Sequence, residues 1–225
     1  MRRVIVIGAS GFVGRAVCEE LARRDAKVAG TYFRNPTPLA GARSLDLLDA
    51  GAIKPTIHAL SAELGGADAL CVCAAEAVWQ GVGDVSAERL ARMLAVNVTG
   101  AFLCAKAFAE LPSSTKRSIT FVGSIDGAKS VPTSVAYATS KGALVAMARA
   151  LAKELAPSVL VNVVAPGLLD GGISTMVPEE VKREYLKHSA LKRFGTRDEV
   201  ARTLAWFLLA NTYVTGQTIV LDGGL

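Results

Sequence analysis

The chain has 225 residues, is 51% hydrophobic and 20% charged, and carries a formal net charge of +5. That length suits one domain with a sizeable core and is too short for two comfortable ones. The basic residues are scattered, without the aromatic interleaving of a nucleic-acid surface, and no run of 18 or more apolar residues escapes a charge, which argues against a membrane span.

In chain order, the apolar run 4–7 predicts a buried strand. It is too short for the apolar region of a signal peptide, and glycines follow at once. Val13, Ala16, Val17 and Leu21 recur at helical spacing and predict a helix over 12–23. Strands follow at 27–32, at 42–45 and, behind a polar helix and Gly65-Gly66, at 68–74. A long helix over 87–109 ends before Pro112, and a strand occupies 118–122. A second long helix, 134–155, closes at Pro157, and a strand over 159–164 is halted by Pro166-Gly167. Helices at 178–188 and 197–209 precede a last strand at 218–221.

Uninterrupted apolar strands alternating with helices imply a parallel sheet covered on both faces. The expected fold is α/β: a doubly wound, Rossmann-type parallel sheet of about seven strands, one domain over 1–225, with right-handed crossovers. Its ligand site belongs at the carboxyl ends of the strands. Cys18, Cys71, Cys73 and Cys104 form no CxxC pair, so the expectation is reduced thiols in a cytoplasmic protein and no metal.

Gly8-Ala9-Ser10-Gly11-Phe12-Val13-Gly14 joins the first strand to the first helix. Gly8 permits the turn, Gly11 lets backbone amides approach a pyrophosphate, and Gly14 lets the helix pack close to the sheet. NAD-binding sheets often close the second strand with a carboxylate for the ribose 2′-OH; here the strand runs into Phe33-Arg34. The planar guanidinium of Arg34 suits a 2′-phosphate, so NADP(H) is expected over NAD(H). Asp46, beside Leu47, can accept from an adenine amino group or cap the helix after it.

Tyr137 and Lys141 stand at i and i+4 and share a helix face. A nearby ammonium lowers a phenol's pKa, and such a tyrosine can exchange a proton with an alcohol or carbonyl oxygen. Ser124 closes the strand before that helix, where it can hydrogen-bond the same oxygen. Asn97, an amide among apolar neighbours, needs a partner if buried and can hold a water that links Lys141 to solvent.

With the glycine loop, Asn97, Ser124, Tyr137 and Lys141 in this order, the whole chain resembles the short-chain dehydrogenase/reductase family. Its Asn162-Val163-Val164-Ala165-Pro166-Gly167 is similar to the family's segment beside the nicotinamide. The stretches 193–200 and 214–224 look most like the 3-oxoacyl-[acyl carrier protein] reductase branch. The resemblance implies that Tyr137 is the acid/base, Ser124 positions the carbonyl, Lys141 tunes Tyr137 and contacts the nicotinamide ribose, and Asn97 anchors a relay. It implies that NADP(H) lies along Gly8, Ser10, Gly11, Phe12, Val13, Gly14, Phe33, Arg34, Asp46, Leu47, Cys73, Ala74, Ala75, Tyr137, Lys141, Pro166, Gly167 and Leu169. It further implies a homotetramer, or a homodimer, built partly from the two long helices.

Three departures stand out. Gly11 lies one place earlier than the family's middle glycine. Val72-Cys73-Ala74-Ala75 replaces the family's Asn-Asn-Ala-Gly, so that backbone needs other partners. Glu76, Asp126 and Asp170 all follow strand ends and can ring the substrate entrance, which would suit a polar or cationic substrate. The variable stretch 168–191 is expected to be a mobile lid, with Met176, Val177 and Leu186 as lining. His58 and His188 read as surface residues. The expected reaction is reduction of a ketone or 3-oxoacyl thioester, without a metal, with an acidic carrier protein suiting the basic surface. The alternatives are a secondary-alcohol or sugar dehydrogenase and a non-catalytic nucleotide-binding regulator. No nucleic-acid or membrane partner is expected.

Overall fold

Consecutive side chains alternate across a strand, so Val4 and Val6 face one way and Ile5 and Ile7 the other. The computed structural model describes residues 1–129 and 133–225. Its strands are β1 (Arg3–Ile7), β2 (Lys27–Tyr32), β3 (Arg43–Ser44), β4 (Ala69–Val72), β5 (Arg117–Val122), β6 (Val159–Pro166) and β7 (Thr218–Leu221). All pair in parallel, in the order β3-β2-β1-β4-β5-β6-β7. The order reverses between β1 and β4, which opens a crevice at their carboxyl ends.

Two apolar layers hold the sheet. On one side Val4, Val6, Cys71 and Val164 pack with Val17 and Leu21 of α1 (Phe12–Arg23) and Leu204 and Leu208 of α8 (Arg197–Leu209). On the other, Ile5, Ile7, Leu70, Phe121 and Val163 pack with α2 (Ala50–Leu64), α4 (Ala101–Ala109) and α6 (Val135–Glu154). The remaining helices are α3 (Ala87–Leu94), α5 (Ile125–Ala128) and α7 (Glu179–His188).

The expected doubly wound sheet is therefore observed, with informative differences at element ends. β4 stops at Val72 rather than residue 74, because the N–H groups of Cys73 and Ala74 both donate to the Ile7 carbonyl, at 2.9 and 3.0 Å, and leave the ladder. The segment expected as one helix over Ala87–Ala109 contains a π-helical turn, Ala95–Gly100, between α3 and α4. This helix is long and apolar enough to cross a membrane, with mean hydropathy 1.3 over its most apolar window. Its apolar residues Met93, Cys104 and Phe108 are instead fully buried within the protein. The short α5 directly after Ser124 was not expected from periodicity, and it shapes the site.

Candidate active site

At the cofactor end the wall of the cleft is main chain. Gly8 has φ +83°, a left-handed conformation that disfavours any side chain, and a Cβ on Gly14 would lie 2.1 Å from the Gly8 carbonyl oxygen. The loop is fastened to β2, where Thr31 accepts from Ala9 N at 2.7 Å through its carbonyl and from Gly8 N at 3.0 Å through Oγ1. Gly11 caps α1 without a side-chain hydrogen bond, so the first-turn amides are available to an anion. This absence of Cβ atoms together with uncapped amides fits a dinucleotide pyrophosphate.

The loop opens on a cleft of about 950 Å³. Every residue expected to hold the dinucleotide lines it, from Gly8, Ser10, Gly11, Phe12, Val13 and Gly14 through Phe33, Arg34, Asp46 and Leu47 to Cys73, Ala74, Ala75, Tyr137, Lys141, Pro166, Gly167 and Leu169. Arg34 is exposed, its guanidinium 5.0 Å from the centre of the Phe33 ring, and it has no carboxylate partner among the described residues. Asp46 does not cap α2: its Oδ1 accepts from Leu48 N at 2.9 Å, and Asp49 supplies the cap by accepting from Gly51 and Ala52. The capping alternative for Asp46 thus belongs to Asp49, three residues later.

At the other end the wall is side chain. Ser124, Tyr137 and Lys141 line the same cleft and are all buried. Lys141 Nζ donates to the Val122 carbonyl at 2.8 Å and lies 5.6 Å from the centre of the Tyr137 ring. Burial pulls the Lys141 ammonium down to about 8, opposed by the nearby Cys73 and Asp126. Tyr137 is pushed up, first by burial and then by the Asp126 carboxylate, while the Ser124 hydroxyl acts the other way. The expected lowering of the phenol by Lys141 is therefore corrected for the protein alone. The ammonium faces a carbonyl and the ring, and desolvation of a phenolate is the largest influence on Tyr137.

Asn97 sits in the π turn, but it does not line the cleft. Its Oδ1 accepts from Glu76 N at 2.8 Å, and its Nδ2 donates to the Glu76 carbonyl at 2.8 Å and to Ser140 Oγ at 3.0 Å. Ser140 in turn donates to the Tyr137 carbonyl at 2.8 Å. The side chain is thus a staple between the loop after β4 and α6. It also answers what the unusual Val72-Cys73-Ala74-Ala75 segment bonds to: the backbone is held by Ile7 on one side and by Asn97 on the other.

The expected ring of carboxylates is not formed. Glu76 lines the cleft but is paired with Arg89 at 3.1 Å and Arg92 at 2.8 Å, so the mouth there is net cationic. Asp170 is exposed and outside the lining. Asp126 lines the cleft and accepts the Ser124 hydroxyl at 2.7 Å. The stretch 168–191 forms a 3-10 turn, Gly172–Met176, and α7; Met176 and Val177 line the cleft, whereas Leu186 does not. Within this stretch the buried Tyr185 donates from its hydroxyl to the Asp222 carbonyl at 2.6 Å. His188 is exposed as expected, but His58 is half-buried, with Nε2 lacking a partner among the described residues. The four cysteines are free, and Cys71 and Cys73 share a face with sulfurs 3.5 Å apart.

Arg89, Arg92, Ser140 and Asp49 were missed from sequence. Ser140 had a readable signal, three residues after Tyr137 on the buried helix face; the arginines had none, because their position depends on the path of the β4 loop.

A family model described as Enoyl-(Acyl carrier protein) reductase matches residues 8–225. The human 3-oxoacyl-[acyl-carrier-protein] reductase is 35% identical, the match covering 98% of this chain and 96% of that one. Glucose 1-dehydrogenase 2 of Bacillus subtilis is 29% identical over 100% of this chain and 94% of its own. A short chain dehydrogenase from Burkholderia cenocepacia, solved in complex with NADP, superposes with a TM-score of 0.91 at 25% identity, covering 99% of this chain and 97% of that one. With this glycine loop, sheet order and full-length likeness, the chain belongs to the short-chain dehydrogenase/reductase family of nicotinamide-dependent oxidoreductases.

Proposed function

We propose that the protein is an NADP(H)-dependent reductase of 3-oxoacyl thioesters, which converts the 3-oxo group to a secondary alcohol. The observation that carries this reading is that Ser124, Tyr137 and Lys141 share one cleft with the glycine loop and Arg34. Bound NADPH would supply the hydride to the carbonyl carbon. Tyr137 delivers the proton to the carbonyl oxygen, and burial favours this role by holding the phenol protonated. Lys141, pulled down to about 8, can give up a proton near neutral pH and so replenish Tyr137. Arg34 meets the 2′-phosphate, which an acidic residue at that position would repel.

Support for the acyl substrate comes from the human relative's name and from the apolar cover of Met176 and Val177. A net charge of +5 and two arginines against one carboxylate at the cleft mouth suit an acidic carrier protein. The half-exposed Phe102 on α4 and Val135 on α6 suit a homotetramer, or a homodimer, assembled through those helices. The test is NADPH oxidation with a 3-oxoacyl thioester, free and carrier-bound. Turnover with neither, under conditions where NADPH binds, would overturn the substrate assignment. Light scattering tests the assembly, and a monomer would refute it.

A further inference from the structure

Ser124 carries one hydroxyl proton, and the structure commits it. Ser124 Oγ donates to Asp126 Oδ2 at 2.7 Å, and it accepts from the Asp126 N–H at 3.3 Å. An ionised carboxylate can only accept, so the direction of the first bond is set. Asp126 stands in the first turn of α5, whose start Ser124 itself caps, and both residues line the cleft beside Tyr137. The hydroxyl has therefore two claimants: the Asp126 carboxylate and whatever oxygen lies against Tyr137.

We propose that Asp126 is a positioning residue that keeps Tyr137 in its acid form, by competing for the Ser124 proton and so weakening the hydrogen bond that the Ser124 hydroxyl can give a Tyr137 phenolate. The inference rests on the reductase reading above. A phenolate is the state left after proton delivery and the state required to begin alcohol oxidation. With the Ser124 proton shared with Asp126, and with that carboxylate nearby, the phenolate is costly, so Tyr137 stays the acid over a wider pH range. Proton balance is preserved: Tyr137 O–H breaks as the new alcohol O–H forms, and the proton is regained from Lys141 or water. Asp126 exchanges no proton in the cycle.

The other charged or titratable groups that line the cleft from the surrounding elements are few. They are Lys141 from α6, Cys73 from the end of β4, Glu76 with its partners Arg89 and Arg92, and Arg34 and Asp46 at the far end. Lys141 and Cys73 stand closest to the reacting end; the Glu76 group is internally paired.

The test compares the parent with Asp126→Asn and Asp126→Glu, each measured for ketone reduction and alcohol oxidation across pH. In Asp126→Asn the amide can donate to Ser124 and free its proton. The alkaline limb of reduction should then fall by a unit or more, and oxidation near neutral pH should rise by about tenfold per unit moved. Asp126→Glu should restore the parent's limbs. A purely structural role would change kcat and KM without moving either limb, and coincident limbs in parent and Asp126→Asn would overturn the proposal. A turnover-free readout separates this claim from the reductase reading. The tyrosinate absorbance of Tyr137, isolated by difference from Tyr137→Phe, should appear at lower pH in Asp126→Asn than in the parent. An unchanged titration refutes the positioning role even if the parent reduces ketones. A shift that shrinks when Ser124→Ala is added to both proteins supports it even if no substrate is found, and a shift of the same size in that background refutes it.

Discussion

At the glycine loop the cleft is walled by backbone, whereas at α5 and α6 it is walled by ionisable side chains. The first surface works by what is missing: no Cβ at Gly8, Gly11 or Gly14, and no side-chain cap on α1. The second works by what is buried: a lysine pulled down to about 8, a tyrosine pushed up, and a carboxylate bonded to a serine. An anion site made of amides and a helix dipole responds weakly to pH and strongly to added volume. A site made of desolvated acids and bases responds in the opposite way. The difference teaches that binding and chemistry in this cleft can be perturbed separately.

The largest effect expected from separating them is at Gly14. Gly14→Val should abolish dinucleotide binding or folding, since even the Cβ would meet the Gly8 carbonyl oxygen at 2.1 Å. Dinucleotide titration and thermal melts check this, and intact binding would break the comparison at its backbone end.

Lys141 tests the side-chain end. Its folded-state value of about 8 lies below the ordinary 10.5, so the folded protein binds fewer protons than the unfolded chain between those two pH values. Stability must therefore rise with pH across that window. Below it the buried ammonium is a constant burden of about 3 kcal/mol, taking 1.36 kcal/mol per pH unit. Lys141→Met should remove turnover yet stabilise the protein at pH 7 by up to that amount, a gain that fades toward pH 10.5. Urea unfolding at several pH values measures it. A variant destabilised equally at every pH would contradict the assignment.

Asn97→Leu should come next, because it strands the Glu76 N–H and carbonyl, while the Ser140 hydroxyl keeps its bond to the Tyr137 carbonyl; each orphan that stays buried costs about 1–3 kcal/mol. NADPH affinity should fall along with stability, since the stapled segment carries the lining residues Cys73 to Ala75. Arg34→Ala should weaken NADPH by roughly 10- to 100-fold, the worth of a charged hydrogen bond, and leave NADH within about twofold. An equal loss for both would refute the 2′-phosphate contact. The smallest effect is predicted for Glu76→Gln, an exposed-rim pair worth under about 1 kcal/mol, in which affinity for neutral ketones should barely change.

How much of this was legible in the sequence follows the same division. The glycine loop is contiguous, so its residues and its place after β1 could be read directly, as could the doubly wound parallel sheet that alternating apolar runs imply. Tyr137 and Lys141 were legible because one helical turn separates them. The partners of side chains were not. Asn97 meets Glu76 and Ser140 only because the π turn and the β4 loop converge, and Glu76 meets Arg89 and Arg92 across the same loop. Local spacing says nothing about such closures. The direction of the Tyr137 shift failed for the same reason: it depends on burial and on Asp126, neither of which the Tyr-Lys spacing encodes.

The central claim is that Tyr137 delivers the proton in NADPH-dependent carbonyl reduction. The most direct measurement follows NADPH absorbance with a 3-oxoacyl thioester in the parent and in Tyr137→Phe, with NADPH binding titrated in parallel by fluorescence. The account predicts unchanged NADPH affinity and a loss of turnover of about 10²- to 10⁴-fold. Turnover by the phenylalanine variant at the parent's rate would contradict it.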